Sequence, residues 1–286
     1  MPSTQDIHRR IKSVKSIEQI TKAMKMVAAA RLRRAQERAI ASRPYTQKIR
    51  EVLQSVASHV DRTETVHPLL AVREVNRIGY LILGADKGLA GAYTSNLIRE
   101  LLPEVAGKDN VGLIVVGRKI KDYFKRRRYQ IDREYTGFSE KPRYQHAEEM
   151  AALVADNYTQ GIYDEIRLVY TRFYSPINHK PVIIKLLPIA DPAGDQAEAS
   201  GREYIFEPSA QEVLNLLLPK YLETVIYGAL LQSAASELGA RMTAMGSATD
   251  NAEELISKLV LNYNKVRQAT ITREITEIVG GAEALK

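Results

Sequence analysis

The sequence predicts an α/β plus all-α protein, an antiparallel coiled coil of long N- and C-terminal helices with an α/β domain inserted between them. Three observations lead there. The last proline is Pro219, so 67 residues follow it without a helix breaker, and their apolar side chains recur at steps of three and four. Residues 3–43 contain neither Gly nor Pro and repeat that period. Between the two ends the period changes to short apolar runs separated by helical patterns.

Taken in order, Ser3-Thr4-Gln5-Asp6 offers an N-cap with a carboxylate in the first turn. Ile7, Ile11, Val14, Ile17, Ile20, Met24 and Val27 then follow at helical spacing, which predicts a helix from about residue 4 to about 58. Pro44 marks a kink or a first-turn restart in it. Such a helix would be ~80 Å long, and one over Ser209–Leu285 on the order of 110 Å, both too long for a small globule. The simplest account is that the two cover each other. Gly228, Gly239 and Gly246 on the C-terminal helix each cost roughly 1 kcal/mol relative to Ala, so close packing or bending is expected to compensate.

Domain boundaries follow from these changes of period. Residues 1–60 form the N-terminal coiled-coil helix, 61–75 a linker, 76–200 the α/β domain and 201–286 the C-terminal coiled-coil helix. Within the middle domain, Arg77–Gly84, Val111–Gly117, Glu165–Tyr170 and Pro181–Leu187 read as buried strands. Helical patterns lie between them at about 92–104, 119–127 and 145–158, so the sheet is expected to be Rossmann-like and largely parallel. Asp191–Gly201 reads as a polar loop, and Glu207-Pro208-Ser209 opens the last helix.

Bulk composition narrows the chemistry. With no Cys there is no disulfide, no thiolate metal site and no thiol switch. Neither a signal peptide nor a run of the ~20 apolar residues a bilayer span needs is present, so a soluble, cytosolic protein is expected. The net charge of +7 is uneven, since residues 1–50 carry +10 and the remainder −3. That basic segment fits either an anionic partner, nucleic acid included, or a solvated helix face.

Candidate sites are few. Gly84-Ala85-Asp86-Lys87-Gly88-Leu89-Ala90-Gly91 follows the first strand, where doubly wound folds hold phosphates, but lacks both the G-x-G-x-x-G and the P-loop spacing. Tight strand–helix packing accounts for its glycines equally well. Arg118–Arg128 is a basic cluster interleaved with Tyr123 and Phe124, suited to phosphate or RNA, or to the outer face of a surface helix. The histidines at 8, 59, 67, 146 and 179 have no metal-ligand spacing and no nucleophile beside them. No cofactor, metal site or catalytic group is expected.

Two stretches carry a resemblance. Ile20–Gln36, ITKAMKMVAAARLRRAQ, and Ala235–Leu285, beginning ASELGARMTAMGSATDNAEEL, resemble the gamma-subunit family of the F-type ATP synthases, in its bacterial form; ADKGLAG after the first strand is also similar, and the likeness runs the whole chain. The resemblance implies a central-stalk rotor, non-catalytic by itself, that couples proton flow to ATP synthesis or hydrolysis. It implies alpha, beta, epsilon and c subunits as partners, with neither nucleic acid nor a membrane span, on the cytoplasmic face of the bacterial plasma membrane. It places Met24 and Lys25 at the acidic lever of the beta subunit and Arg241, Arg267 and Gln268 at the catch loops of the ring. Ile275, Ile278 and Val279 would lie in the ring's apolar collar. Ala90 stands where many relatives carry Cys, and the cysteine-bearing insert of chloroplast forms is missing, which excludes a thiol-switched gamma. Gly246-Ser247, where Lys is common, and Arg273, where Gln is common, alter the charge along the shaft.

Overall fold

A computed structural model describes residues 3–59, 67–189 and 206–283 of the chain. The loop expected over 191–201 lies outside the described residues, as do residues 61–66 of the expected linker. The terminal helices are α1 (Thr4–His59) and α5 (Ala210–Glu283), of 56 and 74 residues. Each is capped by a serine whose Oγ accepts from the third helical amide: Ser3 from Asp6 at 3.2 Å and Ser209 from Glu212 at 3.2 Å. Asp6 also accepts from the Ser3 hydroxyl at 2.8 Å. Both helices run unbroken through their prolines, Pro44 and Pro219, so Pro44 does not restart α1.

The chain divides into two compact units, residues 1–28 with 242–286, and residues 29–241. In the first, the helices run antiparallel: His8 meets Tyr263 with ring centroids 6.3 Å apart, the Thr249 hydroxyl donates to that of Thr21 at 2.9 Å, and Lys25 lies over Gly246. The buried stripe of α1 here is Ile7, Ile11, Thr21 and Ala28. Ile17, Ile20 and Val27, which share the apolar periodicity, are at least half exposed, so α1 carries more apolar surface than α5 covers.

The second unit holds a five-stranded sheet of order β3-β2-β1-β4-β5, built from β1 (Ile78–Leu83), β2 (Val111–Val116), β3 (Arg133–Tyr135), β4 (Glu165–Phe173) and β5 (His179–Leu187). β1, β2, β3 and β4 are mutually parallel, and β5 returns antiparallel to β4. Helices α2 (Tyr93–Val105), α3 (Arg118–Arg126) and α4 (Tyr144–Thr159) connect the parallel strands. Alternation sends Tyr80, Ile82, Leu113 and Val115 to one face, under Leu97, Leu101 and Phe124 of α2 and α3. The opposite face, with Leu81, Leu83, Ile114 and Leu168, is covered by α4, by Leu53 and Val56 of α1 and by Leu218, Leu222 and Ile226 of α5. The sheet is therefore buried on both faces, as near-continuous apolar strands require.

Candidate functional site

In a doubly wound sheet a ligand sits beyond the carboxyl ends of the strands where the strand order reverses. Here that crevice lies beyond β1 and β4, and α5 fills it. Ala240 packs on Ala85, Ala90 and Tyr93. The Tyr93 hydroxyl, its pKa pushed up by burial, donates to the Ser233 carbonyl at 3.3 Å. The Ser236 hydroxyl donates to the Thr171 carbonyl at 3.1 Å, and the Ser233 hydroxyl accepts from the Thr171 amide at 3.4 Å. Gly239 eases this approach, because a Cβ there would stand a tight 3.1 Å from the Pro176 backbone. A Cβ on Gly246 would make ordinary contact with Lys25 at 3.5 Å, and one on Gly228 would open onto space. That space belongs to a groove of about 770 Å³ lined by Gln36, Ile40, Thr46, Phe173, Tyr174 and Gln232.

The glycine turn after β1 is occupied by the chain's own anion. Asp86 accepts from the amides of Gly137 at 2.8 Å, Ser139 at 3.0 Å and Arg118 at 3.1 Å, the last being the first residue of α3. Burial alone would raise its pKa. These amides and the Ser139 hydroxyl outweigh burial and hold it below the usual carboxylate range. A carboxylate thus fills the position where a phosphate would meet a helix N-terminus.

Beside it lies a cluster of charges that sequence reasoning did not assemble. Glu140, in the loop between β3 and α4, pairs with Arg31 of α1, with Lys87 at 3.2 Å and with Arg241 of α5 at 2.9 Å. Arg241 also donates to Glu237 at 2.6 Å and twice to the Gly88 carbonyl at 3.3 Å. Burial would raise Glu140, but Lys87, Arg241 and Arg31 hold it below the usual range. Glu237 goes the other way: burial pushes it up despite Arg241. The available signal was an acid and a base four residues apart on the small-residue face of α5, with Ser233, Ser236 and Ala240.

The other predicted residues lie elsewhere. Met24 is half-buried and Lys25 exposed; Arg267, Gln268, Ile275, Ile278 and Val279 are all exposed, Ile278 at 71%. Arg241 differs from its predicted companions in being 6% exposed. The basic cluster is largely committed within the chain: Lys121 and Lys125 each reach Glu134 at 2.9 Å, Arg118 lies 3.7 Å from Asp86 and Arg127 stacks 3.9 Å over Tyr123. Among the described residues no helix is long and apolar enough to cross a membrane.

Comparison with known proteins covers the full chain. Residues 3–285 match the family model described as ATP synthase. The ATP synthase gamma chain of Heliobacterium modesticaldum is 52% identical over all of both chains, and that of Pelotomaculum thermopropionicum 50% over all of both. Among solved structures, a chain of the central stalk and c-ring of Tetrahymena thermophila mitochondrial ATP synthase matches 80% of this chain and 99% of its own, with TM-score 0.60 and 25% identity. A chain of Euglena gracilis mitochondrial ATP synthase matches in fold over 99% and 94%, with TM-score 0.68 and 20% identity.

Proposed function

Because the chain belongs to the ATP synthase gamma chain family, we propose that it is the central-stalk rotor of an F-type ATP synthase, turning with proton flow and setting the state of the nucleotide sites around it. It is a subunit of that complex and not its catalyst. Its partners are the alpha and beta subunits of the ring, epsilon, and the c subunits of the membrane sector. It sits peripherally on the cytoplasmic face of a bacterial plasma membrane.

One observation supports this reading above the others. From Glu253 to Ala282, α5 runs for 30 residues with no buried side chain, while exposing Leu255, Leu261, Ile271, Ile275, Ile278 and Val279. Apolar surface of this extent on a helix calls for a cover that other chains must provide. A rotor has that cover in the surrounding ring, where Ile275, Ile278 and Val279 fit an apolar collar and Arg267 and Gln268 the catch loops. Met24 and Lys25, the latter against Gly246 on the paired helix, fit the beta lever. An asymmetric shaft favours a different conformation in each of three otherwise equal sites, so its orientation sets their populations.

The purified chain is expected to hydrolyse no ATP and to co-assemble with alpha and beta subunits; robust hydrolysis by the chain alone would overturn the reading. In the assembled enzyme, Gln268→Ala is expected to lower the protons moved per ATP while the thermal midpoint of the isolated chain stays put. Unchanged coupling would remove Gln268 from the ring contact.

A further inference from the structure

The charge cluster around Glu140 joins three segments that are distant in sequence. Arg31 belongs to α1, Lys87 to the turn after β1 and Arg241 to α5, and all converge on one carboxylate. All of them, with Glu140, lie within the second compact unit, residues 29–241. An apolar helix face resists separation but tolerates sliding and rotation, since dispersion and burial are non-directional. Hydrogen-bonded ion pairs fix register, and that is the best-attested use of buried charge. Arg241 makes four hydrogen bonds within its own chain, to Gly88, Glu140 and Glu237, and must give these up to reach another subunit.

We propose that this cluster is a rotational lock holding α1 and α5 in fixed register on the α/β layer, with Glu140 as its hub. Arg241 is then a positioning residue for rotary coupling that acts inside its own subunit, not on the catch loops. Torque applied to the α/β layer passes into the helices through directional bonds, and without the hub the helices slip under load. The lock rests on the rotor reading above.

The test uses the whole assembled enzyme in sealed vesicles, reading ATP hydrolysis and ATP-driven proton uptake together. Glu140→Gln keeps the shape of the hub and removes its charge. It is expected to assemble and hydrolyse ATP while protons moved per ATP fall by about fivefold or more, the scale of an ordinary coupling free energy. Glu140→Asp is expected to recover part of the loss. A merely structural role would lower assembly and leave the ratio alone. If Glu140→Gln fails to assemble, the double variant Arg31→Met/Lys87→Met decides, since it strips two cations from the hub and leaves Arg241 in place. An unchanged proton-to-ATP ratio in an assembled variant overturns the lock. Failure of the unaltered chain to assemble with alpha and beta subunits overturns the rotor reading instead.

Discussion

Arg241→Met is expected to destabilise the chain by about 3–5 kcal/mol, the usual cost of removing one partner from a buried ion pair. The variant keeps most of the side-chain volume, so the loss is one of charge and hydrogen bonds. It strands Glu237, which is 1% exposed, and leaves the Gly88 carbonyl without the guanidinium. The pH dependence identifies the cause. Glu237 is already held above its ordinary value by burial with Arg241 beside it, and without Arg241 it rises further. A carboxyl with a raised folded pKa contributes stability that is complete below the unfolded value of ~4.3 and is lost as pH climbs through the folded one. The penalty in the variant should therefore be larger at pH 8 than at pH 5. Glu140 and Asp86 are depressed, and their contribution fades only as pH falls below their unfolded values, so it does not mask the effect in this window. Urea midpoints at the two pH values measure it. A penalty that shrinks with rising pH would contradict the stranded carboxylate.

Gly117→Ala is expected to cost about 3 kcal/mol, combining ~1–2 kcal/mol for an L-residue at positive φ with overpacking of a similar size. Gly117 has φ +98°, and a Cβ there would lie 2.7 Å from the carbonyl carbon and oxygen of Gly84 and 2.8 Å from the Ala85 carbonyl carbon. These neighbours are backbone and cannot turn aside. They also belong to the turn that holds Asp86, with the Lys119 amide donating to the Ala85 carbonyl at 2.9 Å. Gly137 has nearly the same φ, +99°, with no atom within 4 Å of its added Cβ. Gly137→Ala should therefore lose only the ~1–2 kcal/mol of conformational strain. At about 2–4 °C per kcal/mol, calorimetry should place Gly117→Ala some 6–12 °C below the unaltered chain and Gly137→Ala roughly half as far. Equal shifts would mean that the close approach to Gly84 carries no energy.

How much of this was legible depends on which physical signal the sequence carries. The long helices and four of the strands announce themselves through period and the absence of breakers. β3 does not, because Arg-Glu-Tyr at a sheet edge has no apolar run and pairs through only three residues. Nor does strand direction show, since β5 and β4 read alike whether parallel or antiparallel. Within α1 the period proposed Ile17, Ile20 and Val27 for the stripe that Thr21 and Ala28 in fact occupy. Periodicity locates an apolar face without saying who covers it. The charge cluster was illegible for a related reason. Glu237 and Arg241 look like any solvated pair four residues apart, and only the fold brings Glu140 over from residues a hundred positions away. Asp86 sits in a turn that could be read as a phosphate site or as tight packing, and the amides that it satisfies come from two distant places, the start of α3 and the loop after β3.

The bare end of α5 has a consequence for backbone dynamics. Most helical stability comes from packing of an apolar face rather than from propagation alone, and burial protects amides up to the global stability. Along α5, amides from Leu214 to Ala252 share the protection of the buried side chains that recur between them. Those beyond Val266 lie past the pairing of Tyr263 with His8, and through Ala282 no side chain among them is buried. Deuterium should therefore enter one continuous helix at two very different speeds, the fast C-terminal end slowing only when a ring closes around it. Exchange at that end reports assembly without any label.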